Sequence, residues 1–177
     1  MAAVRTAHTA QLSRDELRAI RELLDEAFDG DFTDQDFDHS LGGMHALVWE
    51  ESRLVGHGSV VMRRLWHAGH ALRTGYVEGV AVRADRRRHG YGDAVMARLE
   101  ELIRYGYVLG ALSSSEAALD FYAARSWQLW TGTASVVSPR GLERTKEEEG
   151  GIYVLPVSVA LDPDGDLACD WRDGDVW

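Results

Sequence analysis

Between residues 71 and 106 the hydrophobic pattern changes its period once, and that change restricts the fold more than any other feature of the chain. Residues 71–82 read as a strand that ends in the apolar run Tyr76-Val-Glu-Gly-Val-Ala-Val82. Residues 90–106 place Val95, Leu99, Leu102 and Ile103 on one face, the mark of an amphipathic helix. The link between them is Arg83-Ala-Asp-Arg-Arg-Arg-His-Gly-Tyr-Gly92. A strand that runs through a glycine-containing loop into a helix belongs to an α/β architecture.

The flanking sequence agrees. Residues 6–12 read as a short strand. Ser13-Arg-Asp-Glu16 is a capping box, whose serine and glutamate satisfy the free N–H groups of a helix start. Leu17, Ile20, Leu24, Ala27 and Phe28 follow at helical spacing, and Gly30 ends the run. Thr33-Asp-Gln-Asp36 opens a second short helix that ends near Gly42-Gly43. Strands at 45–50, 54–66, 107–112, 128–138 and 152–160, with a helix at 115–125, complete a mixed α/β sheet. No repeat, low-complexity tract or Pro/Gly linker divides residues 1–177, so a single domain is expected.

With 177 residues, the chain can bury roughly 70% of the surface its unfolded form exposes, enough for a core without staples. Its one cysteine, Cys169, excludes an intramolecular disulfide and a multi-cysteine metal cage. No apolar run approaches the roughly 18 residues of a membrane span, and the N-terminal segment lacks the apolar stretch of a signal peptide. A soluble, cytoplasmic protein without membrane association is expected.

The net charge of −10 argues against nucleic acid as a partner. Eight carboxylates crowd residues 22–38, and the last 35 residues carry ten acids against three bases. Arg83, Arg86, Arg87 and Arg88 stand together against this background. Acidic blocks are commonly solvated surface. The alternative is a protein that takes a polycation on acidic walls and an anion on one basic loop.

That loop suits a pyrophosphate, because glycines turn backbone N–H groups inward and a helix start adds partial positive charge. It is neither a P-loop nor a dinucleotide fingerprint, since Val95 stands where a third glycine is required. The spacing Arg87-x-x-Gly90-x-Gly92 resembles the R/Q-x-x-G-x-G/A loop of the GNAT superfamily of acetyl-CoA-dependent N-acetyltransferases. Leu119-Asp-Phe-Tyr122-Ala-Ala-Arg-Ser-Trp127 resembles its second signature, with Ser126 where glycine is usual. A left-handed conformation there would cost serine about 1 kcal/mol.

A closer resemblance spans almost the whole chain. Gly30-Asp-Phe-Thr, Leu41-Gly-Gly-Met-His-Ala-Leu, Gly75-Tyr-Val-Glu-Gly-Val-Ala-Val-Arg-Ala-Asp, Leu109-Gly-Ala-Leu-Ser-Ser-Ser and Cys169-Asp-Trp-Arg-Asp-Gly-Asp-Val-Trp177 are similar to the aminoglycoside 2′-N-acetyltransferases. The resemblance implies the GNAT fold, a central mixed, mostly antiparallel sheet flanked by about four helices. It also implies direct acetyl transfer from acetyl-CoA to an aminoglycoside 2′-amine in a ternary complex, antibiotic inactivation as the outcome, and a homodimer.

Acetyl transfer needs a neutral amine, because an ammonium has no lone pair. Glu78 is the odd residue of its apolar strand, and the matching family residue handles the amine proton. Gly79 suggests a bulge that frees strand amides, which makes the Val80 N–H the candidate donor to the charged oxygen. Tyr122 either packs its helix on the sheet or, as the family motif implies, protonates the departing thiolate. The cofactor residues implied are Val80, Ala81, Val82, Arg87, Arg88, His89, Gly90, Tyr91 and Gly92. The substrate residues are Asp31, Asp36, Glu78, Gly79, Ser113, Glu147, Glu148, Asp175 and Trp177 with its terminal carboxylate. Glu147 and Glu148 stand where the family often has Asp.

No metal is expected. Asp162-x-Asp164-x-Asp166 resembles a calcium loop, but Leu167 replaces its glycine, and His67-x-x-His70 spans a turn. The rival readings are a GNAT enzyme for another polyamine or amino sugar, and a module that sequesters polycations without chemistry. Glu78, Tyr122 and the complete loop argue against the second.

Overall fold

The computed structural model describes residues 3–115 and 118–177. They divide into two compact units, one of residues 3–61 and 77–102, the other of residues 62–76, 103–115 and 118–177.

The first unit opens with β1 (Val4–His8), a 3-10 turn at Thr9–Gln11 and α1 (Arg14–Ala27). Both capping boxes form. The Glu16 N–H donates to Ser13 Oγ at 3.2 Å and the Ser13 N–H to Glu16 Oε2 at 2.8 Å. In α2 (Asp34–His39), the Asp36 N–H donates to Thr33 Oγ1 at 3.1 Å and the Thr33 N–H to Asp36 Oδ2 at 2.8 Å. β2 (Met44–Glu50) lies antiparallel between β1 and β3 (Arg53–His67), with Leu47 opposite His57. β4 (His70–Val82) follows, then a 3-10 turn at Ala84–Arg86 and α3 (Tyr91–Gly106). Ile20, Leu23 and Leu24 of α1 pack with Leu47, Leu54 and Ala81. Each leucine or isoleucine among them gains about 1.5–3 kcal/mol on burial, which holds α1 on the strands.

The second unit adds β5 (Leu109–Ser113), α4 (Leu119–Ala123), β6 (Gln128–Leu129), β7 (Thr133–Ser138), β8 (Gly141–Arg144), β9 (Ile152–Pro156) and β10 (Asp166–Asp170). Strands run in the order β6-β9-β5-β4-β3-β10-β7-β8. β4–β5 and β7–β10 are parallel. β5–β9, β6–β9, β3–β10 and β7–β8 are antiparallel. The sheet is mixed, as the sequence suggests.

Several boundaries differ from the sequence reading. The strand expected over 128–138 breaks at Trp130, because the Thr131 and Gly132 N–H groups turn to the Pro163 oxygen at 3.1 and 2.7 Å. The strand expected over 6–12 stops at His8, whose ring accepts the Ala10 N–H at 3.2 Å and opens the 3-10 turn. β10 carries no strand signal in the sequence, because aspartates dominate its approach, yet its backbone pairs on both sides. The helix expected over 115–125 is described from Leu119, and residues 116–117 of that reading lie outside the described residues.

The end of α4 is a Schellman turn. The Trp127 N–H donates to the Tyr122 oxygen at 3.3 Å and the Ser126 N–H to the Ala123 oxygen at 3.2 Å. Ser126 holds the left-handed conformation that favours glycine, with φ +69°. Ser126→Gly is therefore expected to stabilise the fold by up to about 1 kcal/mol. A lower melting temperature for that variant would mean that the serine hydroxyl contributes more than the strain costs.

Candidate active site

The first unit carries the strand–loop–helix element. β4 reaches Glu78, which is half-buried, and then kinks at Gly79, where φ is +55°. A side chain there would be strained, and its Cβ would lie 3.0 Å from Ser40 Oγ just after α2. Gly79 thus sets the helix that carries Asp36 close against the strand. Ala81 points into the α1 core, so its main chain alone is available to a ligand. Val80 and Val82 are half-buried.

Beyond Val82 the four arginines separate into two pairs. Arg83 donates to the Leu54 oxygen at 2.9 Å and pairs with Glu26. Arg86 meets Glu50 at 2.7 Å, and Glu50 also accepts the Tyr91 hydroxyl. These contacts hold Glu50 below the usual carboxylate range. The basic loop of the sequence reading therefore narrows to Arg87 and Arg88. Both are exposed, and among the described residues neither pairs with a carboxylate. Arg87 Nε reaches only the Val82 oxygen, at 3.4 Å.

The loop fits a phosphate. Gly90 has φ +79°, which lets the chain turn sharply into α3. The first internal bond of the helix runs from the Ala94 N–H to the Gly90 oxygen at 3.0 Å. The N–H groups of Tyr91, Gly92 and Asp93 have no carbonyl within the helix to satisfy them, and an anion is their natural partner. His89 is exposed, its Nδ1 is 2.8 Å from the Arg87 oxygen, and its ring stacks on Tyr91.

Asp31 is exposed in the turn after α1, where its N–H donates to the Phe28 oxygen at 3.0 Å. Asp36 spends one oxygen on Thr33, leaving the other for a ligand.

The second unit gathers a different set. Tyr122 on α4 is 7% exposed, amid Phe121, Trp127 and Tyr153. Burial pushes its phenol up to about 12, against a small opposing effect of Arg125. Ser113, at the end of β5, donates to Glu148 Oε2 at 3.2 Å. Burial raises the Glu148 carboxyl, and the charges of Asp175 and Glu147 add to it. Glu147 and Asp175 are exposed. Trp177 is 3% exposed, and its Nε1 donates to Thr145 Oγ1 at 2.8 Å. The Trp177 N–H donates to Asp175 Oδ1 at 3.1 Å.

Sequence reasoning missed what holds this tail. Arg63 donates from Nε to Asp170 Oδ1 at 2.7 Å and from Nη2 to the Asp170 and Val176 oxygens, each at 2.8 Å. Its guanidinium also lies 4.6 Å from the Tyr76 ring centre. Arg172 donates to the Asp175 and Trp177 oxygens at 2.8 and 2.7 Å. A lone arginine inside an acidic tail was the only available signal for Arg172. The aspartates of the calcium-like stretch are engaged otherwise: Asp164 Oδ1 accepts from Thr131 and Asp166 Oδ1 from Thr133, both at 2.6 Å.

Comparison with known proteins identifies the family. The family described as "Acetyltransferase (GNAT) domain" matches residues 8–130. The aminoglycoside 2′-N-acetyltransferase of Mycolicibacterium fortuitum is 46% identical over 177 residues, covering 98% of this chain and 91% of that protein. The crystal structure of Escherichia coli ElaA superposes with a TM-score of 0.63 at 20% identity, covering 87% of this chain and 97% of that one. The Escherichia coli ribosomal-protein-S18-alanine N-acetyltransferase superposes at 0.59 with 18% identity, covering 89% and 96%. The two structures speak for the fold alone. With the family matched over its strand–loop–helix element and a relative at 46% identity, the chain belongs to the GNAT family of acetyltransferases, enzymes that draw their acetyl group from acetyl-CoA.

Proposed function

We propose that this chain acetylates the 2′-amine of aminoglycosides by direct transfer from acetyl-CoA in a ternary complex. The observation that carries the reading is the 46% identity, across 98% of the chain, to an aminoglycoside 2′-N-acetyltransferase. The acidic cluster of the second unit supports it. An aminoglycoside is a polyhydroxylated polycation, and an ammonium group beside Glu148 and Asp175 relieves the like-charge repulsion that adds to burial in raising Glu148. Ser113, Glu147, the Trp177 end, Asp31, Asp36 and Gly79 complete the substrate contacts.

Arg87, Arg88 and the N–H groups from His89 to Gly92 hold the pyrophosphate, and the main chain of Val80, Ala81 and Val82 holds the pantetheine arm. Acetyl-CoA supplies the thioester that the amine attacks. Glu78 accepts the proton that the amine gives up as the C–N bond forms. The Val80 N–H donates to the carbonyl oxygen as charge builds on it. Tyr122, kept protonated by burial, delivers its proton to the sulfur as the C–S bond breaks. A cytoplasmic homodimer belongs to the same reading, and among the described residues no helix is long and apolar enough to cross a membrane.

The test is thiol release from acetyl-CoA with a panel of aminoglycosides and polyamines. Compounds with a 2′-amine should turn over, while 2′-hydroxyl analogues should bind without acetylation at that position. Mass spectrometry that places the acetyl on another amine would refute the regiochemistry, and turnover of polyamines alone would move the substrate class.

A further inference from the structure

Two histidines of the first unit, absent from the site described so far, form a directed hydrogen-bond chain that ends on the Gly79 carbonyl. His45 on β2 and His57 on β3 are both 0% exposed. His57 Nδ1 lies 2.7 Å from the Gly79 oxygen, and His57 Nε2 lies 2.9 Å from His45 Nδ1. His45 Nε2 lies 2.8 Å from Thr9 Oγ1.

One end of the chain fixes the rest. A carbonyl only accepts, so His57 carries its proton on Nδ1 and leaves Nε2 as an acceptor. His45 must then donate from Nδ1, and its Nε2 accepts the Thr9 hydroxyl. Thr9 Oγ1 in turn accepts the Gly42 N–H at 2.9 Å. The alternative acceptor for the hydroxyl, the Gly43 oxygen, is further away at 3.3 Å. Every nitrogen of both rings is used with both rings neutral. Apolar side chains of similar shape would fill this space without four matched hydrogen bonds. What they would lack is a donor to the Gly79 oxygen.

We propose that His57, held by His45 and Thr9, is a positioning residue for acetyl transfer that orients the Gly79–Val80 peptide and strengthens the Val80 N–H as a donor. This rests on the role given to Val80 above. A trans peptide is planar, and its C=O and N–H point in opposite directions. A donor fixed on the Gly79 oxygen therefore fixes where the Val80 N–H points. Polarising the carbonyl also makes that N–H a stronger donor. The kink at Gly79 gives such support a purpose, because its left-handed φ departs from regular strand geometry. Ser59 adds a second side-chain contact on β4, from its Oγ to the Glu78 oxygen at 3.4 Å.

The test combines spectra of the wild type with two variants. Nitrogen-15 spectra at pH 7 should show His45 and His57 as neutral rings protonated on Nδ1. His57→Leu should lower kcat about 10- to 100-fold, while acetyl-CoA affinity and the KM for the amine, which also use the Gly79–Val80 main chain, change several-fold less than kcat. The amide nitrogen of asparagine falls near the imidazole Nδ1, so His57→Asn should recover most of that loss. A His57 protonated on Nε2, or a folded His57→Leu with unchanged kcat, overturns the proposal. Equal losses in both variants, each melting within a few degrees of wild type, overturn it as well. Should His57→Leu fail to fold, the tautomers and His57→Asn decide, and a kcat more than ten-fold down in His57→Asn overturns the proposal. If wild type acetylates no aminoglycoside, the substrate reading has failed by itself, because the tautomers need no substrate and kcat can be read with any amine the wild type accepts.

Discussion

Glu78→Gln is expected to lower kcat about 10²-fold while acetyl-CoA and the aminoglycoside still bind. The amide keeps the shape and volume of the carboxylate, so the half-buried position beside the Gly79 kink stays filled. What disappears is the proton acceptor. The variant then depends on amine already deprotonated in solution, so its rate should keep rising with pH beyond the point where the wild type levels off. A shift in KM with kcat unchanged would instead make Glu78 a binding carboxylate. A wild-type rate and pH profile would leave it as an ordinary strand carboxylate facing solvent.

What the sequence revealed of this molecule was chiefly local. The capping partners at Ser13–Glu16 and Thr33–Asp36 are three positions apart, and side-chain oxygens of that reach find the N–H groups regardless of the rest of the fold. The turn at Gly90 and the apolar face of α3 are equally local. Arg63 and Asp170 meet across 107 positions, Trp177 and Thr145 across 32, and His45 and His57 across 12. Strand register makes those pairs, and no composition or spacing announces them. Charge counting was misled for the same reason. Arg83 and Arg86 looked like part of an anion site, yet Glu26 and Glu50, far away along the chain, neutralise them. The resemblance supplied the positions of the carboxylates proposed to bind substrate, but the contact of Glu148 with Ser113 and the raised Glu148 carboxyl needed the fold.

The buried histidine pair also makes acid stability a large expected effect. Burial lowers His45 from 6.5 to about 4, with a smaller contribution from the nearby charge of His8. Burial, then the neighbouring His45, lowers His57 to about 3 against the opposing Gly79 carbonyl. Below pH 6.5 the unfolded chain takes up protons that the native rings refuse, so the pair's contribution is complete above that pH and is lost as the pH falls. At about 1.4 kcal/mol per proton and pH unit, the two rings together should cost roughly 5 kcal/mol or more by pH 4. That is comparable to the whole stability of many domains. Thr9 and the Gly79 carbonyl, the other groups on the rings, do not ionise in this range. Glu16 is held at about 2 by Arg5 and the Ser13 N–H, so its stabilisation is lost only between about pH 4.5 and 2. Urea unfolding in steps from pH 7.5 to 4.5 should therefore show stability falling first in the histidine window, with a slope near pH 5 approaching two protons. Replacing both histidines should flatten that part of the curve. A wild-type curve that stays level to pH 5 would mean that the rings accept protons in the folded protein despite their burial. Unfolding rather than activity is the decisive readout, because the rate also falls in acid as the amine takes up its proton.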